Sequence, residues 1–310
     1  MMGKVSVLAV CIASLLCLPL LAQDALDLDG ALALIQNDHV AVSFDDAGKA
    51  LLEDMIAALL AGIGVTDELN QENEDRVMEF EVAIEDKEIV NYLSQAYYTL
   101  ANVFIDDGDE AESVYLKGKH WGLKSLRMDP AFAAAESADG FADAAGIAED
   151  HKALYWGASN WLRVAQRHPL QALMAGVPPK TQAMSERALE LAPGYILGGS
   201  HRALGAYWSG LPVGADLDKT LFHFCHIVTE DECANCADCG SIEKIANADD
   251  YFENRTFIAE FYYMEKNMWA EAKLVLDSVL AEEVGDLYPL MNAYAQENAR
   301  ELLATVEKNL

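Results

Sequence analysis

The sequence predicts an all-α protein, and three observations carry that expectation. Apolar residues recur at three- and four-residue intervals through most of the chain, with little strict alternation, which is the period of an amphipathic helix and not of a strand. The eight prolines fall between the periodic segments rather than inside them, where a missing N–H and a ring clash would break a helix. Two segments share one ending, a small residue followed by leucine and then by proline: Ser125-Leu126 before Pro130, and Ala188-Leu189 before Pro193.

The first element is not part of the fold. Lys4 supplies a short positive start, Val5 to Ala22 carries no charge, and Leu20-Leu21-Ala22 before Gln23-Asp24 places a small residue at a cleavage point. Residues 1–22 therefore read as a secretory signal peptide, and the mature chain is expected in the periplasm. Two alternatives stay open: a retained anchor, because eighteen apolar residues are at the short end of a spanning helix, and a lipid on Cys11 or Cys17. A lipid signal wants a small residue before the cysteine, and Val10 and Leu16 stand there.

Residues 23–45 show no clear pattern. Beyond them the periodicity predicts helices over 46–62, 71–84, 88–105, 111–127, 132–147, 151–167, 179–191, 198–210, 217–228, 251–265, 269–282 and 288–307. The apolar run from Met55 to Val65 is too short to span a bilayer and reads as a buried helix. Spacing within the later helices points to paired antiparallel helices. His201, Leu204, Gly205 and Trp208 follow the large, Leu-Gly, aromatic order of a first helix, and Thr220, Phe224 and Ile227 continue as a second after a lengthened loop. Tyr263, Ala272, Leu276, Val279 and Leu280 form the cleanest pair. These are degenerate tetratricopeptide-like helical hairpin repeats, because Pro130 and Pro193 stand closer than two full repeats of about 34 residues. The expected architecture is a compact α-α superhelix, one domain over 23–310, interrupted by a cysteine-rich loop at about 229–248. Gly205 and Ala272 are expected where helix backbones approach each other.

Charge excludes whole classes of partner. Fifty-one Asp and Glu against 21 Lys and Arg give a net charge of −30, with no basic stripe, so neither nucleic acid nor an anionic membrane surface fits. The charge serves solubility or a basic partner. No G-x-S-x-G elbow, H-E-x-x-H, phosphate-binding P-loop or G-x-G-x-x-G motif occurs, so nothing argues for an enzyme and no cofactor is expected.

Two groups of residues could carry chemistry. Cys225, Cys233, Cys236 and Cys239, with His223 and His226 beside the first, suit two disulfides in an oxidising compartment. The Cys-x-x-Cys-x-x-Cys spacing equally suits zinc or part of an iron–sulfur cluster. Tyr155, Trp156, Trp161, Tyr195, Tyr207 and Trp208 lie at helical spacings that suit a core, and a subset of them could line a groove or pore with polar handles. His201 reads as a packing or capping residue and joins them as a ligand candidate; Arg202 reads as the partner of a neighbouring carboxylate.

Several motifs in order resemble the T-component proteins associated with TRAP transporters. They are Ala153-Leu154-Tyr155-Trp156-Gly157-Ala158, then Glu186-Arg187-Ala188-Leu189-Glu190-Leu191-Ala192-Pro193-Gly194-Tyr195, then Gly198-Gly199-Ser200-His201-Arg202-Ala203-Leu204-Gly205-Ala206-Tyr207, Leu211-Pro212 and His223-Phe224. The Tyr115 to Leu126 helix and the stretch Leu290-Met291-Asn292-Ala293-Tyr294-Ala295-Gln296 with Ala299-Arg300 extend the likeness from roughly residue 90 to the C-terminus. The resemblance implies a periplasmic helical-repeat protein that forms a symmetric oligomer, a trimer, beside the substrate-binding protein of a TRAP transporter. It also implies apolar pores that take small organic ligands, hydrophobic ones among them. Two features depart from the family: the lipoprotein signal it often carries is not convincing here, and the cysteine-rich insertion after Phe224 is extra. A generic envelope scaffold that binds other proteins is the competing expectation, and a metal or redox site in the cysteine loop a third.

Overall fold

The computed structural model describes residues 25–65, 69–229, 239 and 242–310. The expected signal peptide over 1–22 lies outside them, as do Cys233 and Cys236. The described residues are all-α apart from one hairpin of two-residue strands.

The chain begins with α1 (Leu28–Ala33), capped by the Asp27 carboxylate, which accepts from the Gly30 N–H at 2.8 Å. The strands β1 (Ile35–Gln36) and β2 (His39–Val40) pair antiparallel, Ile35 opposite Val40 and Gln36 opposite His39. Their two-residue turn holds Asn37 at φ 50° and Asp38 at φ 60°, the left-handed region that Asn and Asp tolerate best after glycine. Then come α2 (Asp46–Gly62), α3 (Glu74–Glu79), a 3₁₀ turn over Ile84–Asp86, α4 (Lys87–Phe104) and α5 (Asp109–Arg127). The expected helix over 132–147 is two helices, α6 (Pro130–Asp139) and α7 (Phe141–Ile147). Gly140 breaks it at φ 97°, a backbone that L side chains avoid.

α8 (His151–Arg167) starts at Asp150, whose carboxylate accepts from the Ala153 N–H at 3.0 Å. α9 (Pro169–Met174), too short to declare itself in the sequence, precedes α10 (Val177–Leu191), α11 (Gly199–Gly210) and α12 (Leu217–Phe224). The expected helices over 71–84 and 217–228 are shortened to α3 and α12. α13 (Glu253–Ile258) runs directly into a π-helical turn over Ala259–Met264, and α14 (Trp269–Ala281) and α15 (Pro289–Val306) close the chain.

Sequence neighbours pack together, α4 on α5, α11 on α12 and α14 on α15, while α8 packs against α5 and α10. Glycine sets the closest crossing. Gly122 of α5 faces Gly157 of α8 so tightly that a Cβ on Gly122 would sit 2.6 Å from the Gly157 Cα. Gly205 plays the expected part between α11 and α12, since its Cβ would meet the Phe224 ring at 2.7 Å. Ala272 is fully buried.

The buried apolar residues form two clusters. The larger draws on α1 through α8 and α10, with Trp121, Leu154 and Trp156 among its members. The smaller is built from α12 to α15 around Phe224, Tyr263, Leu276 and Val306. No helix among the described residues is long and apolar enough to cross a membrane.

Candidate functional site

Where the two clusters adjoin, the helices leave a cavity of about 50 Å³. Its walls follow from helix periodicity. Tyr155, Trp156, Ser159, Leu162, Arg163 and Gln166 project from one side of α8, and Arg202, Ala203, Ala206 and Tyr207 from one side of α11. Tyr98 and Thr99 come from α4, Glu253 and Phe257 from α13, and Met291 from α15. The hairpin inserts His39 from the remaining side, beside Tyr251. An interior this small holds a few water molecules and no larger solute without side-chain movement.

Arg202 organises the inner end. It is 3% exposed, its Nη1 donates to Asn254 Oδ1 at 2.5 Å and its Nη2 to the Tyr155 hydroxyl at 3.3 Å. Its guanidinium lies 4.2 Å from the Tyr251 ring centre, and its Nε is 3.8 Å from a Glu253 carboxylate oxygen. Burial works against its charge, but Tyr155, Tyr251 and Glu253 outweigh that and raise its pKa. The carboxylate partner expected for Arg202 is thus Glu253.

Two buried polar groups in the wall are unsatisfied. Neither ring nitrogen of His39 has a hydrogen-bond partner among the described residues, and neither has Glu253 Oε1. His39 stacks on Tyr251 at 5.3 Å and meets Trp156 and Tyr288 edge-on. Burial, helped by the charge on Arg202, lowers its pKa to about 3, so the ring is neutral and offers one donor and one acceptor. Buried polar atoms are rarely left without partners, so these mark where a bound molecule would gain hydrogen bonds.

Two larger depressions meet at this cavity. One, of about 540 Å³, lies between α4, α5, α8 and α15 and carries Asp106, Asp107, Arg163, Arg167, Glu297 and Glu301. The other, of about 310 Å³, lies between α8, α9, α10 and α11 and has no charged residue in its lining. Gln166 borders all three, Arg163 borders the cavity and the polar depression, and Leu162, Ala206 and Tyr207 border the cavity and the apolar groove.

The aromatic residues singled out in the sequence separate here. Tyr155, Trp156 and Tyr207 line the cavity; Trp161, Tyr195, Trp208 and His201 do not. Tyr195 stands behind the wall and orients it, its hydroxyl accepting from Trp156 Nε1 at 3.0 Å. Trp161 packs edge-on against Phe141 at 5.5 Å under the ammonium groups of Lys119 and Lys180. Trp208 carries Lys219 over its ring at 3.6 Å. His201 instead joins His223, their Nδ1 atoms 3.2 Å apart, and stacks on His226 at 4.1 Å. The residues that sequence reasoning did not single out are His39, Arg163, Tyr251 and Glu253. Arg163 and Glu253 stand in a chain poor in basic residues and rich in acids, where only an arginine was a signal.

Cys225 and Cys239 form a disulfide with their Cα atoms 5.3 Å apart, which ties the end of α12 to the following loop. Those two sulfurs are therefore unavailable as metal ligands. Among the described residues no group of three or more His, Cys, Asp or Glu is arranged to hold a metal.

The chain matches the family model described as TRAP transporter T-component over residues 81–235. No curated protein matches it. The matched span runs from just before α4 through α12 and includes the cavity walls from α4, α8 and α11, while His39, Tyr251 and Glu253 lie outside it. Half the chain is thereby accounted for, and the protein belongs to the TRAP transporter T-component family.

Proposed function

We propose that this protein is an exported accessory of a TRAP-type transport system, which docks to the system's substrate-binding protein and holds a small organic solute in the cavity between α4, α8, α11 and α13, whose side chains move to admit it. Membership of a family of transport accessory components supports this reading. The observation that carries the ligand half is the meeting of three voids at Gln166. A solute in the central cavity borders two depressions of different character, which suits a molecule handed from one partner to another. His39 and Glu253 supply unmet polar contacts inside aromatic walls, the usual make-up of a site for a small organic molecule.

In this reading residues 1–22 direct export and are removed, the mature chain works in the periplasm, and it assembles as a homotrimer. The test is native mass spectrometry of protein recovered from the periplasmic fraction, alone and mixed with the substrate-binding protein of the same transport system. The expected result is a chain beginning near Gln23, a self-associated species with a retained small molecule, and a complex with the binding protein. A monomer that retains nothing and ignores the binding protein overturns the proposal. Recovery of unrelated envelope proteins in its place would favour a general scaffold.

A further inference from the structure

The two depressions differ in a way that selects a solute. The groove beside α9 and α10 is lined by Leu162, Ala165, Ala172, Val177 and Pro212 with no charge at all. The side chains next in sequence to its lining at Pro169 and Pro212 are apolar and exposed, Leu170 at 68% and Val213 at 71%. The opposite depression carries Asp106, Asp107, Glu297 and Glu301 against Arg163 and Arg167, an excess of acid that disfavours an anion.

Between them stands Arg163. Its Nη2 donates to Asn102 Oδ1 at 2.7 Å, and the Tyr98 ring lines the same cavity beside it. Yet among the described residues no carboxylate lies within ion-pair distance of it. Glu260 feels its field without pairing with it. A partly buried guanidinium is costly to leave without a counter-charge, and its planar fork matches a carboxylate. The other arginine of the cavity, Arg202, is already matched by Glu253. Arg163 is thus the cavity's one arginine without a described acidic partner, set one turn from the apolar groove along α8.

We infer that the passage is built for an amphipathic monocarboxylate, its carboxylate bound by Arg163 and its hydrocarbon chain laid in the groove between α8, α9, α10 and α11. This deepens the reading that the cavity holds a solute, and rests on it. The apolar rim admits the chain and the acidic depression stops the head from passing on unaided. Gln166, which borders all three voids, offers an amide donor to the carboxylate.

The test is calorimetric titration of the mature, disulfide-bonded protein with hexanoate, octanoate and decanoate, and with 1-octanol and succinate as controls. Affinity is expected to rise about fourfold per added methylene until the groove is full. Octanoate is expected to bind at least about tenfold more tightly than 1-octanol, the worth of a charge-assisted hydrogen bond. Arg163→Gln removes the charge while leaving a polar side chain and should erase that preference, Arg163→Lys should restore part of it, and Ala172→Trp should flatten the chain-length series. Succinate binding as well as decanoate, 1-octanol matching octanoate, or no monocarboxylate binding each overturns the inference. The headgroup and chain-length series on the unaltered chain decides the matter even if no variant folds. Association with the substrate-binding protein is measured in parallel: if it persists while carboxylate selectivity is absent, only this inference falls, and if both are absent the proposed function falls too.

Discussion

Replacing Gly122 by alanine tests whether direct backbone contact between α5 and α8 sets the position of the cavity wall. The added Cβ would lie 2.6 Å from the Gly157 Cα, 3.0 Å from the Gly157 nitrogen and 2.9 Å from Ser94 Oγ. Carbon atoms in good contact stand about 3.5–4.0 Å apart, so α8 would have to retreat by roughly 1 Å. Backbone cannot swing aside as a side-chain end can. The retreat would also pull on Asn160, whose Nδ2 donates to the Ser94 carbonyl of α4 at 3.0 Å. Overpacking of this kind costs about 1–3 kcal/mol, against about 1 kcal/mol gained from alanine's helix propensity. The disturbed Asn160 contact adds about 1 kcal/mol, for a net loss near 2 kcal/mol in urea unfolding. Gly157→Ala is the internal control. Its Cβ would meet Met184 Cε at 2.9 Å, the movable end of a flexible side chain, and the Gly122 atoms only at 3.5 Å. Gly157→Ala should therefore fall within about 1 kcal/mol of the unaltered protein. A Gly122→Ala protein as stable as the parent, or less harmed than Gly157→Ala, would refute the reasoning.

Three further outcomes follow from the same contacts. Cys225→Ser with Cys239→Ser removes a bridge across 14 residues and should cost about 3 kcal/mol, with a matching drop in melting temperature when the parent is reduced. Reduction without effect on melting would deny the bridge a structural part. Arg202→Met strands the buried Glu253 carboxylate and should cost about 3–5 kcal/mol, much of it recovered in the double variant with Glu253→Leu, as denaturation of the four-member set would register. Acidification from pH 7 to pH 5 should destabilise the fold. Burial, with the charge of Arg202, lowers the His39 pKa from 6.5 to about 3, and burial, with His226 and His223 beside it, does the same for His201. Both are neutral when folded and take up protons when unfolded below pH 6.5, so stability is full above that pH and falls towards pH 3. Each contributes a loss of about 2 kcal/mol between pH 7 and pH 5. Glu260, whose pKa burial raises, works in the opposite direction. Burial, with His226 and Lys219 beside it, also lowers the His223 pKa to about 4, so His39→Phe should remove about a third or less of the pH dependence measured by urea midpoints, and an unchanged slope would refute the assignment.

Much of the helical framework was legible because it is encoded locally. The expected 46–62 and 151–167 segments coincide with α2 and α8, where an apolar stripe begins just after Asp45 and Asp150, the side chains that cap the first turn. The segments that escaped detection are short or broken by a single residue. α1 and α9 have six residues each, too few for a period to declare itself, and Gly140 divides a run whose apolar pattern continues across the break. The site was legible only in part. Tyr155, Trp156 and Tyr207 sit on helix faces that turn inward, but Trp161 lies five residues past Trp156, about 140° around the helix, and faces elsewhere. His201 shares a helix with Arg202 and points to the disulfide end, with His223 and His226, rather than into the cavity.

The amino-acid sequence by itself determined the helical class, the strongly acidic charge, and the family, since periodicity, composition and short motifs are properties of neighbours along the chain. Only the tertiary structure decided that His39, Arg163, Arg202 and Glu253 line one aromatic cavity, that Glu253 answers Arg202, and that Arg163 has no such partner among the described residues. The physical reason is that a charge acquires its meaning from what lies within a few ångströms of it. Those neighbours come from a hairpin, three helices and long intervening loops, so only packing brings them together.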